Sequence, residues 1–189
     1  MTTAEPPSPA PLPDVLSGPR LDLVLVPVDT LLARAAADDP VPLGFTDPED
    51  VLSPDDSPLR YRVAQVRADP SVNPWLIRVA VLRETGEVVG LANFHGPPDE
   101  AGMVEIGYRV RPAHRRQGYA REMALTLWRA AAARPDVRVL RATVSPGNTA
   151  SIRLIEGAGL RHVGEQDDPE DGLELVYEIG AQEFLARHP

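Results

Sequence analysis

The hydrophobic period of this chain changes at Val110, and that change fixes the class of fold open to it. Upstream, 20–26, 75–82, 88–94 and 103–110 are apolar or alternating runs, separated by turns such as Glu84-Thr85-Gly86-Glu87 and Gly96-Pro97-Pro98. These read as strands, the later three as a meander of hairpins. Downstream, Ala120, Met123, Ala124, Leu127 and Trp128 recur at helical spacing. A strand over 137–144, a helix over 148–157 with Gly159 just past its end, and strands starting at 160 and 173 complete the pattern. Two further helices, 29–37 behind an Asp29 cap and 58–68 with Pro58 in its first turn, follow the first strand. Hairpins followed by a strand–helix–strand crossover predict an α/β protein. Its sheet is mixed and largely antiparallel, of about seven strands and flanked by about four helices.

The 189 residues suit one domain, expected over 18–180. Residues 1–17 include five prolines between 6 and 13 and read as a flexible leader, and 181–189 as a C-terminal tail. The stretch 38–58 is broken by five prolines and reads as a long irregular loop. The leader has no basic start and no apolar run, so it is not expected to be a secretory signal. No run approaches ~18 consecutive apolar residues, so no membrane span is expected, the acidic charge speaks against a polybasic membrane anchor, and the protein is read as cytoplasmic.

Charge narrows the functions. Acidic residues outnumber basic ones 28 to 19, for a net charge of −9, which disfavours a nucleic-acid binder. No Cys occurs, and all 19 basic residues are Arg. Disulfides, thiolate nucleophiles, Schiff-base lysines and the Walker lysine are therefore all excluded. Four scattered histidines (95, 114, 162 and 188) lack metal-ligand spacing, so no metal is assigned.

Against this acidic background, five arginines and no acid fall between Arg109 and Arg121. They flank a point where a strand runs through a short loop into a helix. Such a helix start offers unpaired N–H groups and a positive dipole end, and Gly118 and Ala120 let an anion approach the main chain. A solvated basic loop is the bland alternative, but the small residues at the junction favour a polyanionic small ligand.

Val110-x-Pro112 followed by Arg115-x-x-Gly118-x-Ala120 resembles the acyl-CoA signature of the GNAT family of N-acetyltransferases. Glu105-Ile106-Gly107-Tyr108 and Glu122 are similar to its ribosomal-protein-acetylating, RimJ/RimL-like branch. A second match, Asn148-x-x-Ser151 and then Glu156-Gly157-Ala158-Gly159-Leu160, follows in the expected order.

The resemblance implies a sheet splayed open beside strand 103–110, with acetyl-CoA as cosubstrate in the gap. Main-chain N–H groups from Arg116 through Gln117, Gly118, Tyr119 and Ala120 to Arg121 would hold the diphosphate, with side-chain charge from Arg115 and Arg116. Tyr108, Arg109 and Val110 would pair with the pantetheine amides, a main-chain N–H near Val110 would meet the oxyanion, and Asn148 and Ser151 would meet the pantetheine arm. Asn148 also reads simply as a helix cap, and Tyr119 as a core residue.

Acetyl transfer needs a neutral amine, and a lysine-like amine with pKa ~10.4 is protonated at neutral pH. Glu105 is the candidate base, with a solvent-facing edge carboxylate as the alternative. The family often places a Tyr seven residues after the Asn, but Ile155 stands there and cannot donate. Tyr108, Ser145, Ser151 or solvent are left as the proton source. Another family base position, five residues before the Asn, is Thr143, which cannot serve either. His95 is a candidate lining residue of an acceptor cleft.

The implied activity is N-acetylation of a primary amine, on a protein N-terminus or a small molecule, by a monomer or homodimer. The alternatives are a catalytically inactive acyl-CoA sensor and a nucleotide or sugar-phosphate binder.

Overall fold

The computed structural model describes residues 9–36, 44–46, 50–52, 59–169 and 172–189. Most of the irregular stretch 38–58, and residues 1–8 of the expected leader, lie outside them. Eight strands form one sheet in the order β1-β2-β3-β4-β5-β6-β8-β7. They are β1 (Val15–Ser17), β2 (Leu21–Leu25), β3 (Arg78–Leu82), β4 (Glu87–Phe94), β5 (Met103–Val110), β6 (Val139–Val144), β7 (Arg161–Asp168) and β8 (Gly172–Gly180). The helices are α1 (Val28–Ala36), α2 (Leu59–Ala68), α3 (Tyr119–Ala132), α4 (Thr149–Gly157) and α5 (Ala181–Arg187). The mixed, mostly antiparallel architecture matches the expected class.

Three boundaries differ from the sequence reading. The leader assigned to 1–17 gives way to a strand at Val15–Ser17, with Leu12 and Leu16 buried in the core. Two leucines at the end of a Pro-rich run supply enough apolar surface to dock it. Fully buried Arg78 then pins it, its guanidinium donating to the carbonyls of Asp14 (3.0 Å) and Pro74 (2.8 Å). The tail assigned to 181–189 begins as α5, whose Phe184 is buried edge-on against Trp128 at 5.8 Å. Trp75 belongs not to a strand but to a 3-10 turn over Pro70–Trp75, where Pro70 and Pro74 have no N–H to give a ladder.

The sheet separates two cores. On one face α3 packs Met123, Leu127 and Trp128 against Val104, Ile106 and Leu140. On the other, α1 and α2 pack Leu31, Leu59, Val63 and Val66 against Val79, Val88 and Leu91. Side chains alternate between these faces along each strand.

Among the strands of the described residues, only β5 and β6 pair in parallel, joined by the α3 crossover. Their pairing has three rungs, Met103↔Val139, Val104↔Leu140 and Glu105↔Arg141. Beyond Glu105 the strands part, while β4 stays paired with β5 as far as Val110. Among the described residues, one edge of the second half of β5 therefore has no strand beside it.

Candidate active site

A cavity of about 660 Å³ opens where β5 leaves β6. Tyr108, Arg109 and Val110 line it from the strand, and Asn148 and Ser151 from α4. Arg115, Arg116, Gly118, Tyr119, Ala120 and Arg121 line it from the loop and the start of α3. Of the thirteen residues singled out from sequence, only Glu105 and Gln117 lie off this wall.

The loop owes its shape to local backbone. Pro112–His114 makes one 3-10 turn, and Arg116 takes a left-handed φ of 61°. Gly118 caps α3 from the left-handed region, φ 84°, with no capping side chain. That conformation costs an L-residue about 1–2 kcal/mol, so glycine belongs there. The first N–H groups of α3 are thus left for a ligand.

Arginine is dense on this wall, and Arg153 of α4, which the sequence reading did not single out, adds to it. Arg111 does not contribute: it is buried and its guanidinium donates to the Val88 carbonyl. Arg115 folds back, its Nε donating to the Val110 carbonyl at 3.2 Å.

The main chain of β5 divides between its two edges. The Glu105 carbonyl accepts from His95 N–H, and the Arg111 N–H donates to the Val89 carbonyl. Alternation then turns the polar groups of Arg109 toward β4 as well, and those of Tyr108 and Val110 toward the open edge. Arg109 lines the cavity too, but its main-chain polar groups are turned to β4 and not to the open edge, where the pantetheine pairing was expected.

Asn148 caps α4, its side chain accepting the Ser151 N–H at 3.1 Å, while also lining the cavity. The Tyr108 hydroxyl is buried without a hydrogen bond of its own. Burial raises its pKa, and the Ser151 side chain beside it pulls it part of the way back. Ile155 is buried in the α3-side core.

Glu105 lies on the opposite face of the sheet. Its carboxylate, 13% exposed, accepts from Thr143 Oγ1 at 2.5 Å and stands 3.4 Å from His95 Nδ1. Burial raises the Glu105 pKa, against the lowering influence of Thr143, Arg141 and Arg62. Arg141 is itself paired with Glu178 at 2.6 Å. His95 is held below the ordinary histidine range by burial and by the Arg62 guanidinium, although 43% of its side chain stays exposed. From α2, Arg62 and Gln65 donate to the His95 carbonyl at 3.2 and 2.8 Å. A Cβ on Gly107 would stand 3.1 Å from His95 Nε2, so the bare backbone at 107 makes room for the ring.

The two faces supply complementary chemistry. One can hold an anion at a helix start and pair with an extended, amide-bearing chain. The other holds a carboxylate of raised proton affinity beside an uncharged imidazole. No helix among the described residues is long and apolar enough to cross a membrane, and no acid–histidine cluster among them has metal-ligand geometry.

Residues 24–161 match the family model described as Acetyltransferase (GNAT) domain. The uncharacterized N-acetyltransferase YjdG of Bacillus subtilis (strain 168) is 38% identical over 85 residues, 45% of this chain and 49% of YjdG. The chain spans about half the length of the curated relatives it matches, 49% and 60%. A GNAT-family acetyltransferase from Bacillus anthracis has a similar fold, with a TM-score of 0.60 at 21% identity, covering 89% of this chain and 99% of that one. So does Mycobacterium smegmatis RimJ, solved with CoA-disulfide, with a TM-score of 0.59 at 21% identity over 93% and 88% of the two chains.

Proposed function

The chain belongs to the GNAT acetyltransferase family, and from that membership we propose that it is an acetyl-CoA-dependent N-acetyltransferase acting on a primary amine. The acceptor is a protein N-terminus or a small molecule. Glu105-Ile106-Gly107-Tyr108 and Glu122 favour the RimJ/RimL-like branch. The observation that carries the reading is the open edge of β5 running straight into the glycine-capped start of α3.

In this reading the α3 N–H groups and the arginines around them hold the diphosphate of acetyl-CoA. Tyr108 and Val110 pair through their main chain with the pantetheine arm, as an added strand would. A main-chain N–H on the open edge of β5 faces the thioester oxygen as negative charge develops there. Glu105 takes the ammonium proton of the acceptor, whose free amine attacks the thioester carbon. Its raised proton affinity narrows the gap to an amine while leaving it a base at neutral pH. Tyr108, kept protonated by burial, gives its proton to the departing thiolate and regains one from the attacking nitrogen, which sheds its second proton as the intermediate collapses.

Thiol release from acetyl-CoA across a panel of amines and N-terminal peptides tests this, alongside calorimetric titration with CoA. We expect CoA binding and acceptor-dependent release. Binding with no turnover on any acceptor would favour an acyl-CoA sensor, which Ile155 in place of a family tyrosine also suggests. No CoA binding would end the assignment.

A further inference from the structure

The loop that faces the proposed diphosphate site is held from outside by a residue almost a hundred positions earlier. We propose that Arg20, with Glu122, is a positioning clamp that sets the shape and charge of loop 115–120 and so tunes affinity for phosphate-bearing ligands. The inference rests on the reading of the cavity as the CoA site.

Five contacts define the clamp. Glu122, in the first turn of α3 and buried, accepts from the main-chain N–H groups of Arg20 (2.5 Å) and Leu21 (2.8 Å) through Oε1. Its Oε2 accepts from Arg20 Nε at 2.9 Å. Arg20 Nη1 donates to the Gln117 carbonyl at 3.1 Å, and the guanidinium lies 4.5 Å over the Tyr119 ring. Arg20 thus touches the residues on both sides of Gly118 without lining the cavity itself.

The far side of the turn is also fixed. Arg83 donates its N–H to the Arg20 carbonyl at 3.0 Å, and its Nη2 to the Gly18 carbonyl at 2.6 Å and to that of Pro19. A Cβ on Gly18 would stand 2.9 Å from both Glu122 Oε1 and Thr126 Oγ1, so the main chain must be bare where it meets the helix.

Two consequences follow. Drawing the Gln117 carbonyl onto Arg20 turns the Gly118 N–H, on the other edge of the same trans peptide, away from Arg20. That orients a donor that would otherwise be free to rotate with the loop. Second, Glu122 places a carboxylate within one turn of a helix start meant for an anion. Arg20 neutralises it and its oxygens are spent on the β1–β2 turn, so the field at the helix start remains positive.

The test compares CoA with a ligand that lacks phosphates. Arg20→Met keeps the stem and removes the fork. We expect CoA affinity, read by calorimetry, to fall about tenfold, and KM for acetyl-CoA to rise similarly while kcat changes less than threefold. Turnover of S-acetylpantetheine should fall less than twofold, and Arg20→Lys should recover only part of the CoA affinity, because it restores charge without the fork. Glu122→Gln, which keeps the shape and breaks the Nε contact, is the second variant should Arg20→Met fold poorly, with the same split between ligands expected. Wild-type CoA affinity in both variants, or equal losses for both ligands, would overturn the clamp. A wild-type protein that does not bind CoA would instead remove the site reading beneath it.

Discussion

The two faces of the sheet at the splay are built in opposite ways. The α3 face draws its cavity wall chiefly from one contiguous run, Tyr108 to Arg121, completed by α4. The α2 face gathers Glu105 from β5, Thr143 and Arg141 from β6, Glu178 from β8, His95 from the end of β4 and Arg62 from α2. Holding an anion at a helix start is a main-chain task, and main-chain geometry is local. Tuning the proton affinity of a carboxylate is a side-chain task, and its partners come from wherever the fold delivers them.

That difference explains what the sequence disclosed. Met103–Val110, its turn and α3 could be placed from periodicity, and the small residues at 118 and 120 marked the proposed anion site. The bare partners of Glu105 could not be placed. Thr143 looked inert because it cannot act as a base, yet it supplies the shortest contact to the Glu105 carboxylate. The Arg20–Glu122 clamp spans 102 positions and has no local pattern at all. Val15–Ser17 was hidden by proline content, since composition averages over the two leucines that dock the segment.

The faces should fail differently when perturbed. The largest effect belongs to the proton side. Glu105→Gln keeps the acceptor for Thr143 but cannot take a proton, so kcat should fall roughly 10²–10⁴-fold with CoA affinity retained. Steady-state rates and calorimetry on the same preparation check both halves. Wild-type turnover would remove Glu105 from the chemistry.

Gly118→Val should do the reverse. Its left-handed φ disfavours any β-branched residue, and the added carbons crowd the N–H groups. Affinity for CoA should fall on the order of 100-fold. Among the described residues outside its own chain neighbours, a Cβ there would meet only Arg20 Nη2 within 4 Å, the end of a flexible side chain, so the sheet should stay intact by circular dichroism. Undiminished binding would place the phosphates elsewhere.

A smaller effect separates the carboxylate from its surroundings. Thr143→Val deletes the hydrogen bond that lowers the Glu105 pKa and leaves the burial that raises it. The acidic limb of the kcat/KM profile should move up by about one to two pH units, since a hydrogen bond to a charged group contributes about 1.5–3 kcal/mol and a pH unit is 1.36. At a pH on that limb the variant is then roughly 10–100-fold slower, and on the plateau the two enzymes converge. An unmoved limb would mean that some other group titrates there.

The smallest effect is on stability, and its sign sets the two faces apart most cleanly. The Glu105 pKa is higher in the folded chain than in the unfolded one, so the native state holds this proton more tightly. Its contribution favours folding below the unfolded value of ~4.3 and is lost as pH rises through the folded pKa. Above that pH the wild-type protein carries a desolvated carboxylate, which Glu105→Gln removes. The variant that loses most activity should therefore be the more stable one at pH 8, by about 0.5–2 kcal/mol or ~1–8 °C in Tm. The difference should close as the pH is lowered toward 4, where both side chains are neutral. Gly118→Val offers no such gain at any pH, because its strain is in the backbone. A Glu105→Gln protein less stable than wild type at pH 8 would show that the carboxylate holds the fold together there, and that its position was not chosen for proton transfer at stability's expense.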